Sequence, residues 1–220
     1  MKNMFVQVLL ATLLIMVLGF FVAWLSADKP VPVTDYPWQI KTTDDGSIKV
    51  FNMHLGVSTL GDFIQTYNSE PEISLFVAPQ GEKVIEAYFN SLWIGGVKAK
   101  VVLSLQLDTT ELDAMYDRGL RISTLGSGTR KVQLHTDDIK QLNHAAITVI
   151  IYVPSLNLEP KMLQKRFGEP AQKIIDKANR AEHWLYPAKG LDIALNDHEK
   201  DVMQYVAPRD FDKVIAPLNK

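Results

Sequence analysis

The chain has 220 residues, of which 25 are acidic and 23 are basic, and its formal net charge is −2. The charges are scattered and no basic face stands out, which argues against a nucleic-acid partner. The chain contains no cysteine, and this excludes disulfides, a thiol nucleophile, zinc–thiolate sites and lipid attached through cysteine.

Residues 4–25 form an apolar run without a charged side chain. As a helix this run is roughly 33 Å long, against a hydrocarbon core about 30 Å thick. It is longer than the apolar region of a secretory signal, so the pattern predicts a transmembrane signal-anchor over residues 1–27. Lys2 precedes the run, which predicts a cytoplasmic N-terminus with the rest of the chain outside. Whether the anchor is cleaved stays open.

A proline-rich spacer and two folded units are predicted after the anchor. Residues 28–37 contain three prolines, which is typical of a short, extended connection. The remaining residues divide into a first unit over residues 38–155 and a second over residues 156–220. The 47% of apolar residues is ample for a core.

The first unit begins with a predicted hairpin, because Asp45-Gly46 lies between two alternating runs. A helix over residues 60–67 follows, where apolar residues recur at helical spacing and Ser58 or Thr59 can cap the first turn. Alternation and bordering glycines then predict three strands, over residues 73–77, 83–93 and 97–107.

The clearest of these strands is residues 97–107, whose alternate positions are apolar. Lys98 and Lys100 belong to its other face, which we expect to meet solvent. The rest of the unit is predicted as a helix over residues 109–118, a loop over 122–131, a helix from Thr136 and a strand over 146–153 that is buried on both faces.

The second unit is predicted to begin with two helices, over residues 160–167 and 171–181, separated by Gly168 and Pro170. Three strands follow, over residues 182–186, 191–195 and 201–206. We expect residues 207–220 to wrap back over the body.

Both units show the same order of elements: a helix, a Glu-Pro pair, an aromatic strand, a glycine turn and another strand. The Glu-Pro pairs are Glu70-Pro71 and Glu169-Pro170. Sequence identity between the two stretches is low, so a duplication and a chance recurrence of the plan stay open as explanations.

The second unit carries the motifs Leu163, Phe167-Gly168-x-Pro170 and Trp184-x-Tyr186, followed by strands that glycine separates. This combination resembles the BamE (SmpA/OmlA) family of bacterial envelope proteins and the related β-lactamase-inhibitor-like fold. The resemblance implies helices layered on an antiparallel sheet and a role in binding other envelope proteins. The chain is also similar to an uncharacterised family of proteobacterial membrane-anchored proteins, which implies no function.

We therefore predict an α+β fold: a single N-terminal transmembrane helix, then helices packed on an antiparallel sheet in two tandem BamE-like units. The predicted location is the bacterial inner membrane, crossed once by residues 4–25, with the C-terminal domain in the periplasm.

No catalytic, cofactor or metal site is predicted. None of the five histidines has a partner four residues away, and the acids after His135 are explained by a helix start. Ser58 lies in a Gly-flanked run one residue too long for a nucleophile elbow. The glycine-rich run at residues 126–131 lacks the spacing of a P-loop and is interpreted as a flexible turn.

The four candidate partner-binding residues are aromatic and lie on predicted strands: Tyr88, Trp93, Trp184 and Tyr186. Packing in the core is the commoner role of such side chains. The functional interpretation is a contact surface, because Trp and Tyr dominate binding hot spots.

These patterns predict a membrane-anchored periplasmic binding or assembly module that contacts another cell-envelope component without catalysis. Two alternatives stay open: an envelope hydrolase whose site residues meet only in the fold, and a module that binds a small ligand or lipid. Buried, perturbed carboxylates or histidines around one cavity favour the enzyme. A deep apolar cavity favours the ligand-binding module.

Overall fold

Antiparallel strands dominate residues 36–218, which are the residues described by the computed structural model of the chain. The strands, in chain order, are β1 (Lys41–Thr42), β2 (Ile48–Val50), β3 (Met53–His54), β4 (Glu72–Val77), β5 (Lys83–Ile94), β6 (Val97–Leu105), β7 (Arg121–Thr124), β8 (Arg130–Gln133), β9 (Ile147–Pro154), β10 (Gln172–Ile175), β11 (Glu182–Tyr186), β12 (Leu191–Leu195) and β13 (Val202–Val206). The first three form a small sheet. The other ten form one sheet in the order β10-β11-β12-β13-β9-β6-β5-β4-β8-β7.

The helices of the described region are few and short: α1 (Leu60–Tyr67), α2 (Thr109–Asp117), α3 (Thr136–Gln141), α4 (Pro160–Phe167) and α5 (Asp212–Leu218). The predicted fold class, helices packed on a sheet in two tandem BamE-like units, is therefore wrong. The fold is mainly antiparallel sheet, and a single sheet crosses the predicted boundary at residue 155.

Edge strands account for much of this error. The predicted helix over residues 171–181 contains β10, and the predicted loop over residues 122–131 contains most of the β7–β8 hairpin. All four residues of β7 are exposed, as are three of the four in β10. The period-two pattern of a half-buried strand is therefore absent, and hydrogen bonds to β8 and β11 hold the two segments extended.

The predicted membrane anchor, residues 1–27, lies outside the described residues, as does most of the spacer. Within residues 36–218 the longest helix has nine residues, and none is long and apolar enough to cross a membrane, which takes about 20 apolar residues. On this finding the assignment to a single-pass inner-membrane protein with a periplasmic domain is wrong, as is its description as a transmembrane, signal-anchored protein.

Strands β5 and β6 follow the alternation of their sequences. Ala87 lies opposite Leu103, and both are buried. Tyr88 lies opposite Val102 on the other face, where both are only half-buried. The register shifts by one residue between Phe89 and Leu92, which is a β-bulge.

The pairing of β9 with β13 joins two groups of four strands into one sheet. The strands β4-β5-β6-β9 are consecutive neighbours in the sheet, and so are β10-β11-β12-β13. Each group of four follows a helix, α1 or α4. Residues 106–146, between β6 and β9, add α2, α3 and the β7–β8 hairpin, which extends the sheet beyond β4.

One face of the large sheet carries the main core. Phe63 of α1 packs on Phe89 with ring centroids 5.0 Å apart, and Phe51 of the small sheet lies 5.2 Å from Tyr152. Buried residues of α1, α2 and α4 and a half-buried residue of α3 belong to this core. Helix α5 packs instead on the opposite face, in a small cluster with Leu185.

A substitution at Gly190 tests the packing of the turn before β12 against β13. The φ of Gly190 is +60°, and a Cβ at this position would overlap the carbonyl oxygen of Val206 on the neighbouring β13. We expect Gly190→Ala to lower the free energy of unfolding by about 3 kcal/mol or more, because both the backbone conformation and the space exclude a side chain. Urea denaturation measures the change.

Gly126→Ala is the matched control, because a Cβ there meets nothing within 4 Å. It should change the free energy of unfolding by less than about 0.5 kcal/mol. Equal stabilities of the two variants would contradict the close approach of β13 to Gly190.

Candidate binding surface

Two of the four candidate partner-binding residues lie in the core. Trp184 is 2% exposed and Tyr186 is 4% exposed. The ammonium of Lys173 lies 3.7 Å from the centre of the Trp184 ring, and Tyr186 Oη donates to the carbonyl of Gly168 at 3.1 Å. Burial raises the pKa of Tyr186 to about 12. Both side chains therefore serve the packing of β11.

The other two candidates, Tyr88 and Trp93, share the face of β5 that points away from the core. Trp93 lies opposite Lys98 on β6 and is 71% exposed. Tyr88 is half-buried and donates to Asn90 Oδ1 at 2.9 Å. In a regular strand Tyr88 and Trp93, five residues apart, would lie on opposite faces. The bulge adds one residue between the buried Phe89 and the buried Leu92, so both aromatic residues lie on the same face.

We call this surface the open face and define it on strands β4, β5, β6 and β9. Helices α1 to α4 contribute to the main core on the other side. Helix α5 packs near β11 and β13 and reaches the open face only at Val149, so no described helix covers the rest of this surface. Apart from the buried Ser74, its residues are half-buried or exposed. They include Glu72, Phe76, Val84, Glu86, Tyr88, Trp93, Lys98, Lys100, Val102, Ser104, Val149, Ile151 and Val153.

The centre of the open face combines an apolar row with two carboxylates, Glu86 and Glu72. Glu72 lies opposite Tyr88 and forms an ion pair with Lys131. Tyr88, Val102 and Ile151 are neighbours across three strands. Glu86 lies beside them, between Ser74 on β4 and Ser104 on β6. Burial raises the pKa of Glu86 above its ordinary value, and this carboxylate has no ion-pair partner within residues 36–218.

A buried His–Asp pair is the arrangement most like a catalytic one. His183 Nδ1 lies 2.8 Å from Asp192 Oδ2. The hydrogen bond to Asp192 raises the pKa of His183, while burial opposes the rise. Nε2 of His183 and Oδ1 of Asp192 find no hydrogen-bond partner among the described residues. Neither residue lines any of the grooves described for residues 36–218.

The other polar candidates of the sequence have structural roles. His135 caps α3, since its Nδ1 accepts from the backbone N–H of Asp137 at 3.3 Å. Ser58 Oγ accepts from the backbone N–H of His54 at 3.0 Å, and Thr59 rather than Ser58 caps α1. Residues 126–131 contain the turn of the β7–β8 hairpin. In the described part of the chain no three metal-ligating side chains cluster.

The most apolar cavity is small. It has a volume of about 100 Å³ and is lined by residues such as Trp38, Tyr152 and Leu163. Sites for drug-sized ligands usually occupy about 300–1,000 Å³. A groove of about 650 Å³ lies along β4, β7 and β8, but charged and polar residues such as Glu72, Arg121 and Lys131 line much of it. The described grooves therefore favour a surface contact over an enclosed small molecule.

Sequence reasoning missed Glu86 and the two polar residues of the bulge, Asn90 and Ser91, as members of this surface. Glu86 carries a weak signal, because it is a carboxylate at an alternate position of a long apolar strand. The bulge has no local signature, since it appears only when β5 is aligned with β6.

The His183–Asp192 pair makes stability depend on pH. Because the pKa of His183 is raised above 6.5 in the folded chain, the protonated pair contributes fully below the unfolded pKa and is lost as pH rises through the folded pKa. We expect His183→Gln to cost about 1–3 kcal/mol near pH 5 and less at alkaline pH. Urea denaturation across pH measures the difference.

The exposed His144 is the control site, because His144→Gln removes a histidine without touching a buried carboxylate. A cost of His183→Gln that is constant with pH, or that grows as pH rises, would contradict the protonated pair.

Comparison with known proteins gives no match: no family model, no curated protein and no solved structure is similar to this chain. The resemblance of the second unit to the BamE family therefore stays a prediction from its motifs.

Proposed function

We propose that this chain is a non-catalytic binding module and that the open face is its contact surface for another protein. The observation that carries the proposal is an apolar row, Tyr88, Val102 and Ile151, that no described helix covers. Charged side chains flank the row, with Glu72 and Glu86 next to Tyr88 and Lys100 next to Val102. An apolar centre with a charged rim is the usual anatomy of a protein interface.

Trp93 is the expected anchor of the contact. It is 71% exposed in the free chain, and a tryptophan loses much apolar surface to water when a partner covers it. Tryptophan is also among the residue types enriched in hot spots. Tyr88 lies on the same strand face and is held by its hydrogen bond to Asn90, so it loses little side-chain entropy on binding.

Glu86 restricts which partners fit. The Glu86 side chain is half-buried, which raises the pKa of its carboxyl, and a covering surface would desolvate it further. The partner therefore has to place a hydrogen-bond donor or a cation opposite Glu86. A purely apolar or an acidic surface at this point would be rejected, which supplies specificity.

The enzyme alternative requires titratable side chains with shifted pKa to lie around one groove, and the described residues do not bring them together. The side chains with shifted pKa, such as Glu86 on β5 and His183 on β11, lie in opposite halves of the large sheet, with four strands between them. The resemblance to the BamE family points to protein binding as well and stays a prediction. The periplasmic, membrane-anchored location is not carried over, because no helix of the described region can cross a membrane.

Site-specific photo-crosslinking in the native cells tests the proposal. A photoreactive phenylalanine analogue at Trp93 or Tyr88 should give one and the same protein adduct, because both positions face the same partner. Val57 and Ile175 are the control positions: they are 59% and 67% exposed and belong to other surfaces. Adducts that form equally from all four positions, or only from the controls, would contradict the open face as the contact surface.

The crosslinked protein is then purified and its affinity for the full chain is measured. Trp93→Ala should weaken binding at least about tenfold, as expected of a hot spot, whereas Val57→Ala should leave the affinity unchanged. Unchanged affinity of Trp93→Ala would remove Trp93 as the anchor.

A further inference from the structure

A groove of about 480 Å³ opens beside the bulge of β5, at the end of the open face that carries Trp93. Its lining includes the bulge residues Asn90 and Ser91 and three exposed lysines, Lys98, Lys100 and Lys200. We call it the lysine groove. No acidic residue lines it, although the chain as a whole has a net charge of −2.

The three lysines are not neutralised by the described part of the chain. None of them forms an ion pair there; Lys200 Nζ donates to the carbonyl of Ser155 at 3.0 Å. Lys98 and Lys100 are alternate residues of β6 and so lie roughly 7 Å apart on the same face. Like charges at this spacing repel each other, and an anion in the groove would relieve the repulsion.

The bulge adds neutral hydrogen-bond donors to these cations. Because Phe89 pairs with Val101 and Leu92 pairs with Ala99, Asn90 and Ser91 together lie opposite a single residue. A bulge leaves one residue without a ladder partner. Asn90 Oδ1 accepts from Tyr88, so the amide group of Asn90 keeps its N–H donors for a ligand.

Trp93 distinguishes the kind of anion that fits. It lies opposite Lys98 at the rim and is 71% exposed. A ligand with an apolar side chain next to a negative charge would contact both Trp93 and the lysines, whereas an inorganic anion would contact only the lysines. We propose that the lysine groove binds an acidic segment of the protein partner, with an apolar residue of that segment against Trp93. This inference rests on the proposed protein-binding function.

Glu86 sets the direction of the acidic segment. It is four residues before Asn90 on β5, about 13 Å away at the usual rise of a strand. Its carboxylate repels acidic side chains at the centre of the open face, whereas the lysines attract them at the end. The partner's acidic residues therefore belong over the lysine groove, and its donors or cations belong over Glu86.

A fluorescently labelled Glu-rich peptide with one central Leu is the probe, and fluorescence anisotropy with the full chain is the measurement. We expect the wild-type chain to bind the peptide. The triple variant Lys98→Gln, Lys100→Gln, Lys200→Gln should bind it at least about tenfold more weakly. Raising the salt from about 20 mM to about 200 mM should weaken the wild type more than the triple variant.

The control variant neutralises three other exposed lysines, Lys161, Lys165 and Lys177, and so makes the same change in net charge. An equal loss of peptide affinity in the control would show that the net charge alone determines binding, and it would overturn the lysine groove as the binding site. Unchanged binding by the first triple variant would overturn it as well. Equal competition by single-stranded DNA of the same charge would overturn the assignment to an acidic protein segment.

The crosslinking experiment separates this inference from the proposed function. The triple lysine variant could keep the adduct at position 93 and its full affinity for the crosslinked protein. In that case the open face is the contact surface, and the proposal that the lysine groove binds an acidic segment is wrong. If the adduct at Trp93 does not form in the wild type, both fail.

Discussion

The pairing of β9 with β13 is the constraint on which the rest of the structure depends. It joins two groups of four strands into one sheet and brings Tyr152 and Tyr205 together below Phe51 of the small sheet. Tyr205 Oη donates to the carbonyl of Pro37 at 3.0 Å, and burial raises its pKa well above the ordinary value. Four segments that are distant in the chain therefore meet at one point of the core.

A sheet of ten strands has two faces, and the described chain covers them unequally. Short helices and the small sheet cover one face, while α5 covers only the part of the other near Leu185 and Val206. The open face is stable in water because Glu86 and Lys100 alternate with half-buried aliphatic residues such as Val102. The same mixture lets a partner recognise the surface by both shape and charge.

Strand β9 is predicted from its apolar run to be buried on both faces, but Ile151 and Val153 are only half-buried and belong to the open face. Alternation in the sequence located β6 and its buried side. It placed Lys98 and Lys100 on the solvent face of β6, where the structure has them. Trp93 and Trp184 are candidates for binding because both are aromatic residues on predicted strands, yet one is exposed and the other is buried. A period of two separates the side chains into two sets, and contacts with other elements decide which set is buried.

By itself, the sequence determined the strands with one buried face, the hairpin at Asp45-Gly46 and the absence of thiol chemistry, because these follow from local alternation, turn residues and composition. Only the tertiary structure decided that β7 and β10 are strands, that the register of β5 shifts at Asn90 and Ser91, and that the lysines gather at one groove. Each of these features depends on contacts with a neighbouring strand or loop, and the local sequence pattern does not identify that neighbour.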